Sequence, residues 1–116
     1  MRRRTPLLGL VLLSLPAAAA AESYTCSGSA PAWRLRFDDV QARLEFPAPT
    51  EMEVKTAVPA EGADWPRAFT LIGARDTAIV LLEREACGAD ARFRAHVLTQ
   101  RAQTPILLTG CCTPRE

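Results

Sequence analysis

The chain has 116 residues, 48% of them hydrophobic, with 14 basic and 13 acidic side chains, four cysteines and one histidine. That length serves one small domain and leaves nothing over for a second. The charges are interspersed rather than gathered in blocks, so the sequence offers no electrostatic footprint for nucleic acid or an anionic membrane surface.

The first element is a targeting segment. Arg2, Arg3 and Arg4 open the chain, residues 7–15 are apolar apart from Gly9 and Ser14, Pro16 breaks the run, and residues 17–21 are all alanine. This is the order of a secretory signal peptide. The apolar run is too short to span a bilayer, which takes about 20 residues. Cleavage near Ala21 leaves a single domain, 22–116, with 11 basic and 13 acidic residues, so the basic excess of the whole chain belongs to the leader. Cys26 follows Ser23, Tyr24 and Thr25 rather than a lipoprotein cleavage triplet. Arg3-Arg4 ahead of Leu7-Leu8 permits twin-arginine export, but nothing else resembles a cofactor site needing export in the folded state, so the general secretory route is preferred. The expected location is the periplasm or the medium, where disulfides persist.

The mature region is written in short alternating runs separated by turn residues. Trp33, Leu35 and Phe37 share one face of a strand over 32–37, and Asp38-Asp39 makes a tight turn. Val40, Ala42, Leu44 and Phe46 line the next strand, which Pro47 and Pro49 end because proline cannot donate to a ladder. Met52, Val54, Thr56 and Val58 line a strand over 51–58, and 59–66 reads as a loop. Residues 68–72 form a strand ending at Gly73, and 77–83 is a continuous aliphatic run expected to be buried on both sides. A turn at 87–90 leads to 92–100, where Phe93, Ala95, Val97 and Thr99 oppose Arg92, Arg94, His96 and Leu98. The last strand is 106–112. Alanine and arginine over 86–95 would suit a helix, but Gly88 and Asp90 limit it to one turn. About seven strands at this spacing predict an all-β fold, a small antiparallel barrel or sandwich.

Four cysteines allow three connectivities. A Cys111–Cys112 bond closes a strained eight-membered ring and is discounted. Adjacent strand residues face opposite ways, so Cys111 and Cys112 each take a distant partner, and Cys26 and Cys87 are the candidates. Metal or redox chemistry would need paired Cys-x-x-Cys or Cys/His spacings, which are missing.

Catalytic candidates are sparse. His96 is the one conventional general base, and it shares a polar strand face with Arg92 and Arg94. No nucleophile elbow, phosphate loop or dinucleotide fingerprint is present. Glu83 and Glu85 share a face beside Arg84, which reads as a solvated edge, and Asp38-Asp39 reads as turn chemistry rather than calcium binding. Trp33 sits at core register. Trp65 lies in a loop and is the candidate for contact with a partner.

Three stretches carry a family resemblance: Cys26-Ser27-Gly28-Ser29-Ala30-Pro31-Ala32-Trp33, Cys87-Gly88-Ala89-Asp90, and Leu107-Leu108-Thr109-Gly110-Cys111-Cys112. In order and spacing they resemble a family of uncharacterised bacterial envelope β-barrel proteins associated with META domains. That family shows Gly-x-Glu-Pro-Phe-Trp, Cys-Ser-Asp and Leu-x-Gly-Cys; here Ala30 and Ala32 stand where it has glutamate and phenylalanine. The resemblance implies a small barrel in which Cys87 pairs with Cys111 and Cys26 with Cys112. Tyr24-Thr25-Cys26 also makes the chain similar to periplasmic inhibitors of c-type lysozyme, although it lacks their Ser-Gly-x-x-Tyr loop. The expectation is a non-enzymatic binding or stress-protective module of the cell envelope, with no cofactor, no nucleic acid and no membrane span. Its partner is an envelope protein or a small apolar ligand. The alternatives are an inhibitor of a hydrolase such as lysozyme and, in another class, a thiol redox or metal-binding protein.

Overall fold

The computed structural model describes residues 22–101 and 104–115, and the expected export segment lies outside them. Eight strands follow in order: β1 (Ser23–Ser29), β2 (Ala32–Phe37), β3 (Gln41–Glu45), β4 (Pro49–Pro59), β5 (Arg67–Ile72), β6 (Asp76–Cys87), β7 (Ala91–Arg101) and β8 (Thr104–Arg115). Each pairs antiparallel with its chain neighbours, and β8 returns to β1 to close a barrel. Closure leaves no free first or last strand, the feature that otherwise templates aggregation.

The alternating side chains explain the inside and the outside. Leu35, Leu44, Leu71, Val80, Leu82, Val97 and Leu108 point inward from six strands and are buried. Thr99, also buried, satisfies its hydroxyl by donating to the Ile106 carbonyl at 3.3 Å. The strand that the apolar pattern does not announce is β1. Its inward positions are Tyr24, Cys26 and Gly28, with serine and threonine between them, so it carries no aliphatic stripe.

Three local expectations are corrected. Residues 77–83 are not buried on both sides: Ala78, Val80 and Leu82 face the core, while Ile79 is 48% exposed and Leu81 37%. An antiparallel barrel of this size has no second layer outside it. Val40 does not join the inward row but lies 61% exposed in the β2–β3 turn, where its backbone N–H donates to Asp38 Oδ1. In β4 the inward register of Met52 and Val54 does not reach Thr56 and Val58, because a bulge falls between Val54 and Thr56 and shifts the pairing with β5.

The stretches quoted for the family resemblance meet along the β1–β8 seam. Cys26 lies opposite Cys112 in register and is bonded to it, both of them fully buried. Cys87, at the β6–β7 turn that Gly88 closes with φ +69°, is bonded to Cys111. Trp33 lies against this seam and donates from Nε1 to the Thr109 carbonyl at 3.1 Å. The indole fits because Gly28 and Gly110 have no side chains. A Cβ on Gly110 would collide with the Ser27 carbonyl and meet Trp33 Cζ2 at 2.7 Å, and one on Gly28 would strike the indole itself.

Candidate functional site

The barrel wall has a notch, and unequal strand lengths make it. β3 has five residues and β4 has eleven. The register between them ends at Gln41 opposite Glu53, with Val54 N donating to Val40 O at 2.9 Å just beyond. From Thr56 to Pro59, β4 pairs with β5 alone. Prolines at 47 and 49 and the Asp38 turn confine β3, while nothing stops β4 until Pro59.

The notch opens at the end of the barrel where β1 and β5 begin and β2 and β4 finish. A cleft of about 360 Å³ fills it. Tyr24, Phe37 and Phe69 form its floor, and Ala57, Val58 and Pro59 of the overhanging β4 form one wall. Its rim carries four carboxylates, Glu22, Asp38, Asp39 and Asp64, against one guanidinium, that of Arg67.

The floor is rigid. Tyr24 packs on Phe37 at 5.4 Å between ring centroids and on Phe93 at 5.3 Å, and Phe37 packs on Phe69 at 4.9 Å. Trp65 extends this cluster, 5.1 Å from Phe93. Stacked and edge-on aromatic pairs contribute about 0.5–1.5 kcal/mol each beyond their buried area. Trp65 is half-buried, and Arg67 covers its other side with the guanidinium 4.1 Å from the ring centroid. The same Arg67 bonds Glu22 Oε2 at 3.1 Å and the Asp64 carbonyl at 3.0 Å. It ties the N-terminal end of β1 to the 59–66 loop.

The electrostatics follow from these contacts. Burial first, and the Glu22 carboxylate second, push the Tyr24 hydroxyl above its usual pKa of 10.0, while Arg67 opposes them. The floor is therefore a neutral phenol at physiological pH. Asp38 is held below its usual 3.8, because Oδ1 accepts from the backbone N–H groups of Gln41 and Val40, each at 2.8 Å. It stays ionised, and Arg115 faces it from the far side of the turn. Among the described residues no side-chain partner is found for the carboxylates of Asp39 and Asp64.

The other candidates lie elsewhere. His96 faces outward on β7, with Nε2 3.1 Å from Glu83 Oε1 on β6, and Arg94 bonds Glu85 at 2.8 Å in the neighbouring row. Glu83 and Glu85 thus have cross-strand partners in His96 and Arg94, and neither lines the cleft. The cysteines are all paired in the seam. Among the described residues there is no group of three or more His, Cys, Asp or Glu side chains placed to hold a metal ion, and no helix long and apolar enough to cross a membrane.

Sequence reasoning singled out Trp65, which packs on Phe93 under Arg67 and is not among the residues that line the cleft, and it did not propose Tyr24, Phe37, Asp39, Asp64, Arg67 or Phe69 as binding residues. No local signal marked the notch, since the alternating runs over 40–46 and 51–58 are of nearly equal length in the sequence. No protein-family model, curated protein or solved structure matches this chain.

Proposed function

We propose that the protein is an exported, non-enzymatic binding module of the bacterial cell envelope, and that the cleft beside β4 is where it takes its ligand. The observation that carries this reading is the cleft itself: an open, preformed concavity with a packed aromatic floor and a few convergent polar groups. The side chains that fill the barrel axis direct a ligand to the wall rather than the interior. His96 lies on the outward face of its strand beside Glu83, away from the residues that line the cleft, so it takes no part in the proposed binding. The leader and two long-range disulfides support the location, and the resemblance to envelope barrels supports it further.

The test pairs fractionation with shift mapping. The exported protein is expected in the periplasmic fraction, shortened by about the first 21 residues and carrying two disulfides by intact mass. Titration of the labelled protein with 3-phenyl-1-propanol is expected to move the amides of Tyr24, Phe37, Ala57 and Phe69. Shifts scattered over the barrel, or none, would remove the cleft as a binding site.

A second reading, inhibition of a hydrolase, is favoured by one feature. Asp38 and Asp39 of the β2–β3 turn and Asp64 of the 59–66 loop line the same cleft at one end of the barrel, and that loop carries Glu61 as a further exposed carboxylate. Such a surface complements a cationic cleft. Loss of lysozyme activity on addition of the protein, relieved by Asp39→Asn with Asp64→Asn, would replace the first reading with this one.

A further inference from the structure

The cleft is bounded by more than side chains. Residues 56–59 of β4 have a strand neighbour on one side only, and the cleft occupies the place where β3 would continue if it were longer. The pairing of Ala60 N with Pro66 O, at 2.9 Å, sets the phase of the β4–β5 ladder. Because hydrogen-bonding direction alternates along a strand, Val58 and Ala60 turn their backbone groups to β5. Ala57 then turns its N–H and carbonyl to the cleft, as Pro59 does its carbonyl.

From this geometry we infer that the ligand is an extended peptide segment, basic in character, which adds beside residues 56–59 of β4 as a missing continuation of β3. The inference rests on the cleft being the binding site and names what enters it. Three observations converge on this occupant. The unpaired β4 edge offers main-chain hydrogen bonds that a small molecule without a peptide backbone does not use. The Tyr24, Phe37 and Phe69 floor receives every second side chain of an added strand. The rim carries four carboxylates, of which Arg67 pairs with Glu22 alone. Cleavage after Ala21 would add the α-ammonium of Glu22, and the rim would still be acidic.

Lys55 and Pro59 refine the fit. They flank the open edge, and lysine and proline at such positions discourage indiscriminate strand pairing. Pro59 also removes one donor, so the added strand is short, centred on Ala57. The protein thus selects by charge as well as by edge, since an acidic strand would meet Asp38, Asp39 and Asp64.

The test uses the exported protein and defined probes: the capped pentapeptide Ac-Lys-Val-Lys-Phe-Lys-NH2, its glutamate counterpart, the basic peptide N-methylated at Val and Phe, and 3-phenyl-1-propanol. The basic peptide is expected to shift Ala57, Asp39 and Phe69, to slow exchange of the Ala57 amide, and to bind about tenfold more weakly when N-methylated or when salt rises from 20 to about 300 mM. Asp39→Asn with Asp64→Asn is expected to weaken it about tenfold as well, and Arg67→Ala, which removes the one cation of the rim, to tighten it. Equal binding of the glutamate peptide would overturn the charge selection. Equal binding of the N-methylated peptide, or an unprotected Ala57 amide, would overturn strand addition. If 3-phenyl-1-propanol maps to the cleft while no peptide does, the peptide inference fails and the binding site stands. If neither maps there, both fail.

Discussion

Removal of the two disulfides one at a time should rank them, and the ranking follows from where they sit. Cys26–Cys112 spans a sequence separation of 86, and Cys87–Cys111 one of 24. With the second bond intact, the loop closed by the first is shortened to residues 26–87 plus 111 and 112, about 64 residues, because the chain can cross the Cys87–Cys111 bridge. In the chain-entropy model a loop of that length gives about 4.3 kcal/mol, and the shorter loop about 3.5 kcal/mol. Side-chain loss adds to this. Cys26 and Cys112 are fully buried, whereas Cys87 is buried and Cys111 only half-buried. Counting each buried sulfur as a methylene-sized group, at about 1 kcal/mol, raises the totals to about 6 and about 5 kcal/mol. The Cys26→Ala/Cys112→Ala protein should therefore melt about 4–8 °C below Cys87→Ala/Cys111→Ala. Thermal and urea unfolding followed by circular dichroism measure both. Since either loss approaches the whole stability of a small domain, the scans should be repeated in sulfate, which strengthens burial. If Cys87→Ala/Cys111→Ala proves the less stable of the two, loop length and burial are not what these bonds contribute.

The remaining predictions address packing and titration. Gly110→Ala, whose Cβ meets the Ser27 backbone and Trp33, should cost about 3 kcal/mol, whereas Gly62→Ala, with φ +77° and open space around it, should cost about 1 kcal/mol; equal losses in denaturant unfolding would remove the cradle argument for Trp33. Asp38→Ala should cost about 1 kcal/mol at pH 7, from two charge-assisted hydrogen bonds at an exposed turn. Because the folded pKa of Asp38 is lowered, that contribution is present above 3.8 and is lost as pH falls through the folded value. The wild-type and variant stability curves should therefore converge in acid, and a gap that persists there would contradict the assignment. Tyr24 is the only tyrosine, so absorbance near 295 nm reports it alone, and its phenolate should form above pH 10.0. With its folded pKa raised, its contribution is whole below 10.0 and is lost as pH rises through the folded value; a midpoint below 10.0 would show that the cleft floor is not desolvated.

The all-β fold was legible because period-two alternation is a local property: Trp33, Leu35 and Phe37, or Phe93, Ala95, Val97 and Thr99, declare their faces without reference to the rest of the chain. The turn at Asp38 was legible for the same reason, its carboxylate reaching only two and three residues ahead. The β1 strand was hidden because its core positions are Tyr24, Cys26 and Gly28. What makes Gly28 an inward residue is Trp33, which takes the space that a side chain would fill. Outward exposure of Ile79 and Leu81 was likewise undecidable from their own segment, since an aliphatic run reads the same whether or not another layer covers it. The cleft depended entirely on tertiary structure. Tyr24, Phe37, Asp39, Ala57, Asp64 and Phe69 come from four strands, one turn and one loop, and they meet because β3 is shorter than β4. The sequence by itself determined which residues face inward along most strands and where the turns fall. Closure of β1 on β8 and the difference in strand length then decided which faces meet, because pairing partners are chosen by register across the whole barrel.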